Sequence, residues 1–84
     1  MNFKNLKELY LENNEISDIN VLGITKIEKL EKLNLNKNKI LDINVLEKVN
    51  FKILKKLKLS ENEISDINVL EKNKIREIRN IVFR

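Results

Sequence analysis

The chain is expected to fold as a short α/β solenoid, with parallel strands along one side and short helices or 3₁₀ turns along the other. Three features lead there. Apolar residues and asparagine recur with a period of 24, and each copy contains an alternation suited to a strand. Each copy is also too short to bury its apolar side chains alone, so neighbours must stack to do it.

The pattern L-x-x-L-x-L-x-x-N-x-I runs through Leu6, Leu9, Leu11, Asn14 and Ile16. It returns as Leu30, Leu33, Leu35, Asn38, Ile40 and again as Leu54, Leu57, Leu59, Asn62, Ile64. Asp-Ile-Asn-Val-Leu follows each time, at 18–22, 42–46 and 66–70. A fourth copy begins with Ile78, Ile81 and Phe83 and stops at Arg84. The expected organisation is one domain over 1–84, with coils near 6–29, 30–53 and 54–77 and a partial coil at 78–84.

Within a copy, Leu33-Asn34-Leu35 alternates with period two, as a short strand with one face inward does. Asn38 turns the chain. Asp18, Asp42 and Asp66, with Asn20, Asn44 and Asn68 two residues on, precede Val-Leu as helix caps do. Asn44 with Glu47 three residues later has the spacing of a capping box. Val45, Leu46, Val49 and Phe51 would mix inward and lateral positions on the outer side. A helical hairpin competes, since Ile43, Leu46, Val49, Ile53 and Leu57 recur at three or four residues. Leu33-x-Leu35 and Leu57-x-Leu59 fall out of that step, and Asn36 with Asn38 makes a poor helix interior.

These repeats resemble the leucine-rich repeat family over essentially the whole chain. The Ile-Ser-Asp-Ile variant is similar to the short repeats of internalins and of the protein phosphatase 1 regulatory subunit. The resemblance implies a right-handed curved solenoid whose parallel strands line a concave, protein-binding face. Those short repeats usually run about 22 residues, so a period of 24 implies a slightly longer outer segment.

Composition narrows the functions. The formal charge of the 84 residues is 17 − 13 = +4, with neither cysteine nor histidine. Disulfides, thiol chemistry and the usual general base are therefore excluded. No apolar run reaches the roughly 18 residues that span a membrane, and the start lacks a signal-peptide core. A cytoplasmic, non-enzymatic protein without cofactor or metal is expected. The Asp18, Asp42, Asp66 column could hold a hard cation, but each copy supplies one carboxylate and capping explains the spacing. Ser17 and Ser65 have no histidine or lysine couple to activate them.

Asn14, Asn38 and Asn62 form a structural column. An asparagine amide can both donate to and accept from backbone groups that leave the strand ladder. Alternation then turns Glu8, Tyr10 and Glu12 outward on the concave side. Lys32, Asn34 and Asn36 follow, then Lys56, Lys58 and Ser60, then Asn80, Val82 and Arg84. These residues differ between copies while the leucine and asparagine columns persist, so they are the candidate contacts for another protein. Four strands give roughly 300 Å² of projected face, against about 800 Å² per partner in a standard interface. Concave binding by this chain alone should be weak.

Two alternatives stand beside protein binding. One is a purely structural coil segment; the other is weak nucleic-acid binding through the basic C-terminal part. Residues 1–51 hold 8 basic and 8 acidic side chains, and 52–84 hold 9 and 5. The excess includes Lys55, Lys74, Arg76 and Arg79, interleaved with Glu61, Glu63, Asp66, Glu71 and Glu77, which argues against a nucleic-acid track. Uncovered apolar ends at Phe3, Leu6, Ile81 and Phe83 favour end-to-end self-association. Gly23, standing where 47 and 71 carry Glu, should weaken the first coil's helix.

Overall fold

Each L-x-L core becomes a three-residue strand: β1 (Glu8–Tyr10), β2 (Lys32–Asn34), β3 (Lys56–Lys58) and β4 (Asn80–Val82). This computed structural model describes residues 3–49, 51–71 and 80–82. Residues 72–79 and 83–84 lie outside them, and with them Lys74, Arg76, Ile78, Arg79, Phe83 and Arg84. The strands form one parallel sheet in the order β1-β2-β3-β4. Leu9 pairs with Leu33, Leu33 with Leu57 and Leu57 with Ile81, so the register follows the sequence period. The alternative helical hairpin is thereby set aside.

Hydrogen bonds continue this register beyond the strands. Leu11 N–H donates to Asn34 C=O and Leu35 N–H to Lys58 C=O, at 2.9 and 2.8 Å. Lys39 N–H donates to Ile16 C=O and Glu63 N–H to Ile40 C=O. Between strand and asparagine the backbone turns through positive φ at Asn13 (60°), Lys37 (60°) and Glu61 (57°). Asparagine takes this left-handed conformation with little penalty, whereas lysine and glutamate bear a cost there.

The outer side carries 3₁₀ helices: η1 (Asn20–Ile24), η2 (Asn44–Glu47) and η3 (Asn68–Glu71). Their i→i+3 bonds run from Leu22 N–H to Ile19 C=O, Leu46 to Ile43 and Leu70 to Ile67. Segments of four or five residues suit this tighter form, which is used in short pieces. Of the two columns expected to cap, the aspartates accept the bonds. The carboxylates of Asp18, Asp42 and Asp66 accept the N–H of Asn20, Asn44 and Asn68 at 2.8, 2.8 and 3.0 Å. Ile19 and Ile43 sit at the N-cap positions of η1 and η2 without a side-chain capping bond. The short aspartate side chain reaches its own backbone two residues on, which is an Asx turn.

Packing is tightest in the second coil. Leu30, Leu33, Leu35, Ile40, Ile43 and Leu46 are essentially inaccessible. Val45, Leu46, Val49 and Phe51 are all buried. In the first coil Leu6, Leu9, Leu11 and Ile16 are half-buried and Val21 is exposed, because no described coil covers that end. Gly23 belongs to the contact between η1 and η2. A Cβ there would stand 3.0 Å from Val45 Cγ2, so alanine would force Val45 to shift by a few tenths of an ångström. The intrinsic propensity gain from alanine would be offset by that contact.

Candidate functional site

A parallel sheet with one face packed on the core presents alternate side chains on the other. Leu9, Leu33 and Leu57 point inward, while Glu8, Tyr10, Lys32, Asn34, Lys56 and Lys58 lie on the outer strip. Tyr10, Lys32, Asn34, Lys56 and Lys58 line a shallow hollow floored by Leu33. Tyr10 is 53% exposed, the most accessible aromatic residue of the described chain.

The strip is wired at its first-coil end. Tyr10 O–H donates to Glu8 Oε1 at 2.9 Å, and Lys32 Nζ lies 3.6 Å from Glu8 Oε2. The hydrogen bond to Glu8 holds the phenol above its ordinary range, helped by slight desolvation and by the charges of Glu8 and Glu12. Because the folded value is raised, this contact stabilises the fold below the free tyrosine value of about 10. It is lost as pH rises through the folded value. Glu8→Gln is expected to return Tyr10 towards about 10. Tyr10 is the only tyrosine and tryptophan is absent, so tyrosinate absorbance reads this titration directly.

Two of the outward side chains also serve the backbone. Asn34 Oδ1 accepts Asn36 N–H at 3.0 Å, and Asn36 Oδ1 accepts Ser60 N–H at 2.7 Å. Glu12 is half-buried, and its Oε1 is enclosed without a hydrogen-bond partner among the described residues. Arg84 and the side chains of Asn80 and Val82 lie outside what is described.

The asparagine column sits beside the strip at the strand ends. Asn38 Nδ2 donates to Leu35 C=O and Asn36 C=O in its own coil and to Leu11 C=O in the preceding one. Its Oδ1 accepts Ile16 N–H, again one coil back. Asn62 repeats this with Leu35, Leu59, Ser60 and Ile40. Among the described residues, Asn14 reaches only Leu11 C=O and Glu12 C=O of its own coil.

A feature the sequence reading missed is a set of ion pairs one period apart. Lys52 Nζ meets Glu28 Oε2 at 2.8 Å and Lys55 Nζ meets Glu31 Oε1 at 3.7 Å, alongside Glu8 with Lys32. The bond to Lys52 holds the Glu28 carboxyl below its usual range, and Glu28 raises Lys52 in turn. Opposite charges 24 residues apart were the available signal. Asp18, Asp42 and Asp66 remain separate Asx turns, and no cation-binding cluster of acidic residues forms among the described residues. No helix among them is long and apolar enough to cross a membrane.

Residues 4–48, more than half of the chain, match the family described as Leucine Rich repeats (2 copies). Among solved structures, the crystal structure of internalin C2 from Listeria monocytogenes is similar in fold, with a TM-score of 0.61 at 21% identity. The match covers 96% of this chain and 43% of the internalin chain, so the present chain spans less than half of that relative. No curated protein matches the chain. The in-register leucines, the asparagine bonds between coils and the matched repeats lead to one conclusion: this chain belongs to the leucine-rich repeat family.

Proposed function

We propose that the chain is a non-enzymatic protein-binding module that uses its concave strip. On this reading residues 1–84 form a single domain of three coils and a partial fourth, and coils added at either end would lengthen the strip. The family is typically one of interaction modules. The observation that carries the reading is the division of labour across each strand. Leu33 and Leu57 are wholly buried and align with Leu9, whereas the flanking pairs run Glu8 and Tyr10, then Lys32 and Asn34, then Lys56 and Lys58. A surface so exempt from packing can be specified by a partner, and Tyr10 supplies the aromatic group that interface cores favour.

The contacts assigned to a partner are Glu8, Tyr10, Glu12, Lys32, Asn34, Asn36, Lys56, Lys58 and Ser60. The strip is narrower than a standard interface side of about 800 Å², so its affinity should be modest. Tyr10→Ala combined with Lys58→Glu is expected to abolish capture of a partner that binds the wild type. Ile24→Ala combined with Leu41→Ala, on exposed positions away from the strip, should leave capture unchanged. Loss in the second pair and retention in the first would place binding elsewhere.

A further inference from the structure

We propose that the strip takes a carboxylate-rich, extended segment of a partner protein, seated on the ammonium groups of Lys32, Lys56 and Lys58. This rests on the concave-face reading above. It starts from a break in the charge pattern. Lys52 and Lys55 each meet a glutamate one coil back, as Lys32 meets Glu8. Lys56, by contrast, stands directly opposite Lys32 in the β2–β3 register, with Lys58 two residues on along the same face. Like charges directly opposite on neighbouring strands are destabilising, and Lys56 and Lys58 make no ion pair with a described residue.

The first coil shows how a carboxylate sits here. Glu8 takes a neutral donor from its own strand, Tyr10 O–H, and a cation from the next, Lys32. One coil on, Lys32 occupies the place of Glu8, Asn34 that of Tyr10, and Lys56 that of Lys32. Asn34 Oδ1 is engaged by Asn36 N–H, which leaves its Nδ2 as the corresponding neutral donor. Only the carboxylate is lacking, and an incoming one would relieve the Lys32–Lys56 repulsion. Lys56 and Lys58 are about 7 Å apart along the strand, the spacing of alternate side chains in an extended peptide. A single-stranded nucleic acid fits less well, because Tyr10 is the one aromatic side chain among the described strip residues, and such strands are held by stacking successive bases on several aromatics.

The test titrates the intact chain with a synthetic peptide of alternating glutamate and alanine, following the emission of Tyr10. Binding is expected, with the glutamine counterpart at least about tenfold weaker. Lys56→Gln with Lys58→Gln should lose about tenfold, whereas Lys39→Gln with Lys48→Gln, the same change of net charge elsewhere, should stay within about twofold. Without peptide, Lys56→Gln should melt no lower than wild type, since it removes a repulsion. Equal losses in both double variants, no binding of the glutamate peptide, or tighter binding of a single-stranded oligonucleotide would each overturn the proposal. If the Tyr10/Lys58 pair abolishes partner capture while the peptide fails to bind, the acidic chemistry is wrong and the concave face stands. If capture also persists, both fall.

Discussion

Leu33→Ala is expected to cost about 3–5 kcal/mol. Leu33 is fully buried in β2, with Leu9 and Leu57 as its register partners on either side. Truncation therefore leaves a cavity between two coils that the backbone hydrogen bonds hold at fixed spacing. An 84-residue domain has roughly 4–13 kcal/mol of stability in all, so this variant should sit near the edge of unfolding at ordinary temperature. Leu9→Ala is expected to cost about half as much, because Leu9 is only half-buried at the open side of β1. Urea denaturation of the two variants provides the comparison, and equal losses would contradict the graded packing.

Asn38→Ala is expected to cost about 2–3 kcal/mol, from one backbone N–H left unpaired and the lost amide bonds between coils. Its amide joins two coils by donating to Leu11 C=O and accepting Ile16 N–H, and it is 6% exposed. Alanine would leave Ile16 N–H without its acceptor, while Leu11 C=O and Leu35 C=O would each lose one of two amide donors, keeping Asn14 and Asn62. Asn14→Ala, identical in chemistry, should lose less than about 1 kcal/mol, since Asn14 is exposed and bonds only its own coil. In a stacked repeat, stability is divided between each unit and its nearest-neighbour contact. The difference between the two asparagines therefore measures that contact in chemical denaturation.

The leucine and asparagine columns were legible in the sequence because a fixed period forces each residue type into the same place in every coil. Leu9, Leu33 and Leu57 could be aligned without coordinates. What escaped depended on the backbone path. Asp18, Asp42 and Asp66 and Asn20, Asn44 and Asn68 all carry the residue type of a cap and the same side-chain length, and the backbone path decides that the aspartates accept the N–H two residues on. The left-handed column of Asn13, Lys37 and Glu61 gave one signal in three, since lysine and glutamate do not advertise positive φ.

The outward strip was readable as a set of positions but not as a set of interactions. Alternation places Glu8 and Tyr10 together, whereas the bond that raises the Tyr10 hydroxyl depends on rotamers. Asn36 and Ser60 were candidate contacts by position, and the fold joins them by a backbone bond across the coil gap. The ion pairs Glu28–Lys52 and Glu31–Lys55 could have been found by searching for opposite charges one period apart.

Cysteine cross-linking addresses the side-by-side stacking of 24-residue turns most directly, because the chain has no cysteine of its own. Lys32→Cys with Lys56→Cys places the two thiols on register partners of adjacent strands, within the Cα separation of about 4.4–6.8 Å that a disulfide needs. Lys32→Cys with Asn36→Cys puts them four residues apart, about 13 Å in an extended chain but about 6 Å in a helix. Stacked coils predict a rapid intramolecular disulfide in the first pair and none in the second. A disulfide in the second pair and none in the first would contradict the fold and the strip built on it.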